Sequence, residues 1–79
     1  MDQMERDIAI LRKLLNGKLF LNKFPVIERV AVDKYGDYID IVMIPKDINE
    51  YFKVVNKIFD YVWQLKRMVD VESRISIYP

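Results

Sequence analysis

The chain has 79 residues, of which 52% are hydrophobic and 32% charged, and a formal net charge of +1. Its length fits one domain, residues 1–79, and so short a chain buries only about 60% of its unfolded surface, which leaves the core marginal unless copies associate. The charge balance argues against a strongly basic nucleic-acid-binding protein. Without Cys or His, disulfides, thiol nucleophiles and the commonest metal ligands are excluded, so we expect no metal and no cofactor.

The first five residues, Met1 to Glu5, are acidic where a signal peptide is basic. No apolar run approaches the ~20 residues of a membrane span. We therefore expect a cytoplasmic protein without membrane contacts. High Ile, Val, Lys and Tyr content is a hint of a thermophilic source.

A first helix is predicted from Asp2 to Asn16, where apolar residues recur at helical spacing and Asn16-Gly17 provides a C-cap. The residues of this stripe are Met4, Ile8, Leu11 and Leu15. The next segment, Lys18 to Pro25, is too apolar for a free loop. It is expected to cross under the core or to form a short edge strand.

Two antiparallel strands are predicted, from Val26 to Asp33 and from Tyr38 to Ile44, joined by a short turn that contains Gly36. Alternation places two sets of side chains on opposite faces. One face carries Val30, Val32, Ile39, Ile41 and Met43. The other face carries Arg29, Ala31, Asp33, Tyr38, Asp40, Val42 and Ile44.

The longest element is a helix from Ile48 to Val69, with Asp47 as N-cap and Glu50 three residues later in an acidic variant of the capping box. Its apolar arc spans roughly 200°, well beyond the usual ~100° stripe. The residues of the central stripe are Ile48, Phe52, Val55, Phe59, Val62 and Val69. One small sheet cannot cover this arc, so a second surface is expected against its flank.

A third strand is predicted from Ser73 to Tyr78, parallel to the second strand because a helix connects them. The element order is then α-β-β-α-β. We predict an α+β fold, a two-layer sandwich in which a three-stranded mixed sheet carries both helices on one face. Whether the third strand lies beside the second or the first is left open.

Two surfaces are candidates for contact with a partner. On the open sheet face, Asp40 is expected to form a cross-strand ion-pair cluster that orders the sheet. The residues of this cluster are Arg29, Tyr38, Asp40, Arg74 and Tyr78. On the margins of the long helix, exposed aromatic and Met side chains are typical of interface anchors. These are Val54, Tyr61, Trp63 and Met68. For Trp63, packing under the first helix or the Lys18–Phe24 segment is an equally open alternative.

Basic residues without nearby acids form a candidate anion-binding surface. They are Arg12, Lys13, Lys18, Lys23, Lys53, Lys57 and Arg67. Ordinary solvated side chains at helix ends, in the loop and on a helix face explain the same pattern, and that explanation is favoured.

The central sequence, Ile27-Glu28-Arg29-Val30-Ala31-Val32 followed by Tyr38-Ile39-Asp40-Ile41-Val42-Met43-Ile44-Pro45, resembles the core of minimal nucleotidyltransferases. In that family the second strand carries an Asp-x-Asp metal motif and a Gly-Ser loop grips the triphosphate. Here Asp40 matches the second aspartate, but Tyr38 occupies the first position and only Tyr35-Gly36-Asp37 stands in the loop. Two magnesium ions need convergent carboxylates. The resemblance therefore implies an inactive relative. The element order also resembles the cytoplasmic domains of cation-efflux transporters, which dimerise.

The sequence favours a non-catalytic interaction module that forms a homodimer or binds another protein. Two alternatives stay open. One is a small nucleotide-binding or nucleic-acid-binding protein that uses the basic residues. The other, an enzyme of nucleotidyltransferase type that depends on Asp40, is the least favoured because it lacks a paired carboxylate in the motif.

Overall fold

The computed structural model describes residues 2–78, in the order α1-α2-β1-β2-α3-β3. The elements are α1 (Gln3–Leu15), α2 (Lys18–Lys23), β1 (Ile27–Tyr35), β2 (Tyr38–Pro45), α3 (Ile48–Met68) and β3 (Arg74–Tyr78). The predicted α+β fold with a three-stranded mixed sheet is confirmed. None of the helices within residues 2–78 is both long and apolar enough to cross a membrane.

The segment after the first helix is itself helical, so the predicted alternative of an edge strand is wrong. Helical spacing brings Phe20 and Phe24 onto one side of α2, where both are buried. Their rings lie 5.6 Å and 5.5 Å from the ring of Tyr61 on α3. The α2 helix is therefore the second surface that the wide apolar arc of α3 requires.

The sheet has the order β1-β2-β3, with β1 antiparallel to β2 and β2 parallel to β3. The third strand thus lies beside the second. Tyr35 pairs with Tyr38, which leaves Gly36 and Asp37 as a two-residue turn, shorter than predicted. Gly36 has a φ of +58°, which a hairpin of this kind needs at its first turn residue.

A β-bulge lies near the start of β1, where the register shifts between Ile27 and Arg29. The extra residue is Glu28, which is exposed. Because of this insertion both Ile27 and Val30 face the helices, although they are an odd number of residues apart.

The core lies between one face of the sheet and the three helices. From the sheet it takes Ile27, Val30, Val32, Ile39, Ile41, Met43 and Ile75, and from the helices Leu11, Leu15, Phe20, Tyr51, Ile58 and Val62. The face predicted to be apolar is therefore the buried one. Since Asn16 bonds to Val30 of β1 while Asp7 bonds to Ser73 just before β3, α1 crosses the strands diagonally.

Asp47 caps α3 as the sequence predicts, but within residues 2–78 the Glu50 carboxylate bonds to Lys53 and makes no capping-box bond back to Asp47. Asp47 accepts hydrogen bonds from the backbone N–H groups of Asn49 (2.9 Å) and Glu50 (3.2 Å). At the other end of α3, Asp70 adopts a left-handed conformation with a φ of +55°. The Val71 N–H bonds to the Lys66 carbonyl, so α3 ends in a Schellman motif.

Candidate interaction surface

One side of α3 carries an apolar stripe that the rest of residues 2–78 covers only in part. We call Ile48, Phe52, Phe59 and Trp63 the uncovered flank; their spacings of four, seven and four residues put them on one side of the helix. Phe59 is partly buried, whereas Ile48, Phe52 and Trp63 are 45%, 56% and 42% exposed. Aromatic side chains exposed along one side of a helix make this stripe a candidate contact surface.

The opposite side of α3 is covered by α2. Of the four residues predicted as interface anchors, Val54 and Tyr61 lie on this covered side and pack against the core. Trp63 lies on the uncovered flank. Met68 is 79% exposed at the end of α3. The structure thus brings the four together on no single surface.

The two sides of α3 face opposite edges of the sheet. Because α2 contacts β1 and its Phe20 and Phe24 pack on Tyr61, the covered side of α3 faces the β1 edge. The uncovered flank therefore faces the β3 edge.

The outer edge of β1 is occupied by side chains from α1. The Asn16 amide accepts a hydrogen bond from the Val30 N–H and donates one to the Val30 carbonyl, each 2.8 Å long. The Arg12 guanidinium donates to the Val32 carbonyl and lies 3.5 Å from the Asp33 carboxylate. These groups imitate a neighbouring strand, so this edge is blocked to pairing.

The outer edge of β3 has no such cover within residues 2–78. No backbone hydrogen bond to its outward groups is found there, and the strand contains neither Pro nor a bulge. Such an edge is a template for another strand. The unpaired edge and the uncovered flank lie on the same side of the molecule.

The predicted cluster residues share the open face of the sheet, but they do not form the expected ion pairs. Arg29 pairs with Ile44, two rows from Asp40, and Asp40 lies between Asp33 and Ser76. The ion pairs found among residues 2–78 lie elsewhere: Arg6–Asp7, Arg12–Asp33 and Lys53–Glu50. The prediction of a cross-strand ion-pair cluster is therefore wrong.

Two contacts on this face involve aromatic residues instead. The guanidinium carbon of Arg74 lies 5.9 Å from the centre of the Tyr38 ring, within cation–π range. Tyr78 pairs with Val42, which also pairs with Ala31, so this row of the face is apolar. The open face is thus mixed rather than ionic.

Asp33 and Asp40 are opposite one another on the open face. Sequence reasoning placed both on this face but did not identify them as a pair, because the register was unknown. Within residues 2–78 no third acidic side chain joins them to complete a group that could hold a metal ion. The pair falls short of the ligand set that a two-metal mechanism requires.

The candidate anion-binding residues are scattered, apart from two. Arg12 is engaged at the β1 edge, and the Lys53 ammonium lies 3.0 Å from Glu50. Lys13, Lys18 and Arg67 are exposed. Lys23 and Lys57 both line an open cleft of about 490 Å³ between α2 and α3. The other lining residues are Phe24, Val54, Asp60, Tyr61 and Gln64.

Sequence reasoning missed the β3 edge and the exposure of Ile48 and Phe52. The width of the apolar arc of α3 indicated that part of it would stay exposed. Periodicity could not show which side of the arc is exposed, because that side is decided by where α2 packs.

Comparison with protein-family models, with curated proteins and with solved structures finds no match to this chain.

Proposed function

We propose that this protein is a non-catalytic interaction module that forms a homodimer through the uncovered flank of α3. The observation that carries the proposal is the exposure of Ile48, Phe52 and Trp63 on one side of the helix. Aromatic side chains at a subunit surface are the usual anchors of protein interfaces.

The distribution of charge along α3 supports the same proposal. Asn49 and Asn56, which are uncharged, border the uncovered flank. Around Ile48, Phe52 and Phe59 the charged residues lie further round the helix, whereas Lys66 and Arg67 lie beside Trp63 at the C-terminal end of the flank. Depletion of charge around aromatic residues is typical of the centre of an interface.

The area of the flank indicates how far the interface must extend. An aromatic side chain can bury about 150–250 Å², so the exposed parts of Phe52 and Trp63 together offer about 200 Å². A standard interface buries about 800 Å² on each partner. The flank is therefore the apolar centre of a larger contact that includes its surroundings.

Sedimentation of the wild type beside a Phe52→Glu variant tests the proposal. Phe52 is more than half exposed, so the substitution leaves the subunit folded while placing a charge in the interface. We expect dimerisation at least about tenfold weaker, corresponding to 1.4 kcal/mol or more.

The matched control is Leu19→Glu. Leu19 is an apolar residue of α2 that is 80% exposed and lies away from the flank. Its variant should dimerise like the wild type. A wild type that stays monomeric at high micromolar concentration, or equal weakening by both variants, would contradict the proposal.

The resemblance to nucleotidyltransferases supports the non-catalytic part of this proposal. In the stretch that carries the resemblance, Tyr38 stands where the first metal-binding aspartate is expected. We expect an Asp40→Ala variant to match the wild type in magnesium and nucleotide titrations followed by Trp63 fluorescence. A nucleotide response that depends on magnesium and on Asp40 would favour the enzyme instead.

The cleft between α2 and α3 favours a second candidate function, nucleotide or nucleic-acid binding. Lys23 lies 5.6 Å from the centre of the Tyr61 ring, so a cation and an aromatic face are adjacent beside Lys57. Such pairs bind bases and phosphates. Binding of labelled single-stranded RNA should weaken with salt and with Lys57→Ala, but not with Lys13→Ala outside the cleft. Binding that ignores salt would remove this candidate.

A further inference from the structure

We propose that the homodimer forms by antiparallel pairing of β3 with β3 of a second copy, centred on Ser76, which gives a continuous six-stranded sheet. This inference rests on the proposed function and specifies its geometry. It depends on which backbone groups of β3 point outward.

The direction of the backbone groups follows from the covered edge. Val30 exchanges hydrogen bonds with Asn16, so its N–H and C=O point away from β2. Backbone direction alternates along a strand, so Ala31 points to β2 and its partner Val42 points back to β1. The neighbouring Ile41 must then point to β3.

The same alternation fixes β3. Ile41 pairs with Ile77 in the parallel ladder, and in such a ladder its groups bond to the residues on either side of that partner. Ser76 and Tyr78 therefore face β2. Ile75 and Ile77 present their N–H and C=O groups to the outer edge.

One register about a two-fold axis pairs all the outward N–H and C=O groups of the strand. Ile75 of one copy opposite Ile77 of the other forms hydrogen-bonded pairs, with Ser76 opposite its own equivalent in a non-hydrogen-bonded pair. This register pairs all of Arg74–Tyr78. It also sets Arg74 opposite Tyr78 of the second copy on the open face, where a cation and an aromatic ring attract.

The occupant of the edge is a second copy because the flank and the edge act together. A free peptide strand would pair with β3 but leave Phe52 and Trp63 exposed. A two-fold related subunit brings its own α3 alongside, so the two uncovered flanks meet above the joined strands. This supplies the area that the flank alone lacks.

The charges beside the flank fit this arrangement. The two α3 helices run antiparallel across the axis, so their closest approach falls near Phe59. Beside Phe59 the flank residue Trp63 and the border residue Asn56 are uncharged, and the nearest charge on this side of the helix is Lys66, two turns from Phe59. An antiparallel pair therefore joins without repulsion at its centre.

The chain has no cysteine, so single-cysteine variants give an unambiguous test. In a non-hydrogen-bonded antiparallel pair the Cα atoms lie about 4.5 Å apart, within the range that a disulfide spans. Mild oxidation of Ser76→Cys is expected to give a covalent dimer in most of the protein at concentrations where the wild type sediments as a dimer.

The matched control is Arg74→Cys on the same strand. Its two copies would lie about 13 Å apart in this register, too far for a disulfide. Arg74→Cys alone should not cross-link, whereas an equimolar mixture with Tyr78→Cys should.

Hydrogen exchange provides a readout without cysteine substitution. The amides of Ile75 and Ile77 should gain protection as protein concentration rises, whereas those of Ser76 and Tyr78 are protected in the single subunit. A wild-type dimer in which Ser76→Cys fails to cross-link and Ile75 and Ile77 exchange freely would overturn this inference and leave the proposed function standing. A wild type that never dimerises would overturn both.

Discussion

The buried carboxylate of Asp7 ties α1 to the segment before β3. Its Oδ2 accepts hydrogen bonds from the Ser73 backbone N–H (3.1 Å) and hydroxyl (2.7 Å), and its Oδ1 accepts from Gln3 (2.8 Å) and Arg6 (3.3 Å). Burial by itself raises the pKa of Asp7, but the Ser73 bonds, the Gln3 bond and the Arg6 charge outweigh it, so the pKa lies below the ordinary value of 3.8.

An Asp7→Asn substitution should lower the free energy of unfolding by about 2–3 kcal/mol, measured by urea titration at neutral pH. An amide has one acceptor oxygen, so its NH₂ group must face a donor, either Ser73 or the Gln3–Arg6 pair. The control is Asp37→Asn in the exposed hairpin turn, where we expect a change within about 0.5 kcal/mol.

The difference in unfolding free energy between the wild type and Asp7→Asn is expected to depend on pH. Because the folded pKa of Asp7 is lowered, its stabilisation is fully present above the unfolded pKa and is lost as pH falls through the folded value. The difference in unfolding free energy between wild type and Asp7→Asn should therefore shrink below the ordinary value of 3.8. Other carboxyl groups titrate in both proteins and cancel in the difference. A constant difference down to about pH 3 would contradict the assigned role.

Tyr51 is fully buried in α3, and its hydroxyl has no hydrogen-bond partner within residues 2–78. Burial also raises the pKa of this hydroxyl. An unpartnered buried polar group costs about 1–3 kcal/mol, so Tyr51→Phe should raise the free energy of unfolding by about 1 kcal/mol. The exposed Tyr35→Phe is the control and should change little. Destabilisation by Tyr51→Phe would show that the hydroxyl has a partner after all.

At the scale of the secondary-structure elements, the backbone of Asp70 at the end of α3 is strained, and a substitution can relieve that strain. Asp70 takes the left-handed conformation that glycine adopts without steric cost, and it places a negative charge at the negative end of the helix dipole. We expect Asp70→Gly to raise the free energy of unfolding by about 0.5–1 kcal/mol in urea titration.

Two further substitutions separate the causes at this position. Asp70→Asn removes the charge and keeps a residue tolerated in this conformation, so it should recover part of the gain. Asp70→Ala removes the charge but retains the steric cost of a Cβ atom, and it should fall below Asp70→Gly. A Gly variant that is less stable than the wild type would mean that the Asp70 side chain makes a favourable contact.

Sequence patterns predicted the long elements well, because their periodicity extends over many residues. Both long helices and the buried face of the sheet follow from the spacing of apolar residues, and the Asp47 cap follows from the residue type that precedes Ile48. The α2 helix could not be predicted in this way, because its six residues are too few to show a helical period. Its position decides which side of α3 is covered, and this is why Val54 and Tyr61 were predicted to be interface anchors.

The contacts on the open face were beyond sequence reasoning because they depend on register. Alternation alone placed Arg29 and Asp40 on one face correctly. The bulge beside Glu28 and the short turn at Gly36 then set Arg29 opposite Ile44 rather than Asp40. Arg29 therefore lies two rows from Asp40 on this face, and the cross-strand neighbour of Asp40 is the Asp33 carboxylate.

At the scale of the whole molecule, the proposed homodimer predicts that stability depends on protein concentration. When a dimer unfolds to separate chains, its apparent free energy of unfolding increases by about 1.4 kcal/mol for each tenfold rise in protein concentration. The urea midpoint of the wild type should therefore rise with concentration, with Trp63 emission shifting to shorter wavelength as the dimer forms. The midpoint of Phe52→Glu should begin to rise only at concentrations at least about tenfold higher. Identical behaviour of the two proteins would contradict the dimer.

The difference between the two sheet margins limits how large an assembly can become. Asn16 and Arg12 seal one margin in every subunit, so each molecule offers a single docking strand. Joining two subunits about a two-fold axis uses up both of these strands. The proposed assembly would therefore be self-terminating: it would stop at two copies, because the contact consumes the exposed strand that could otherwise seed fibres.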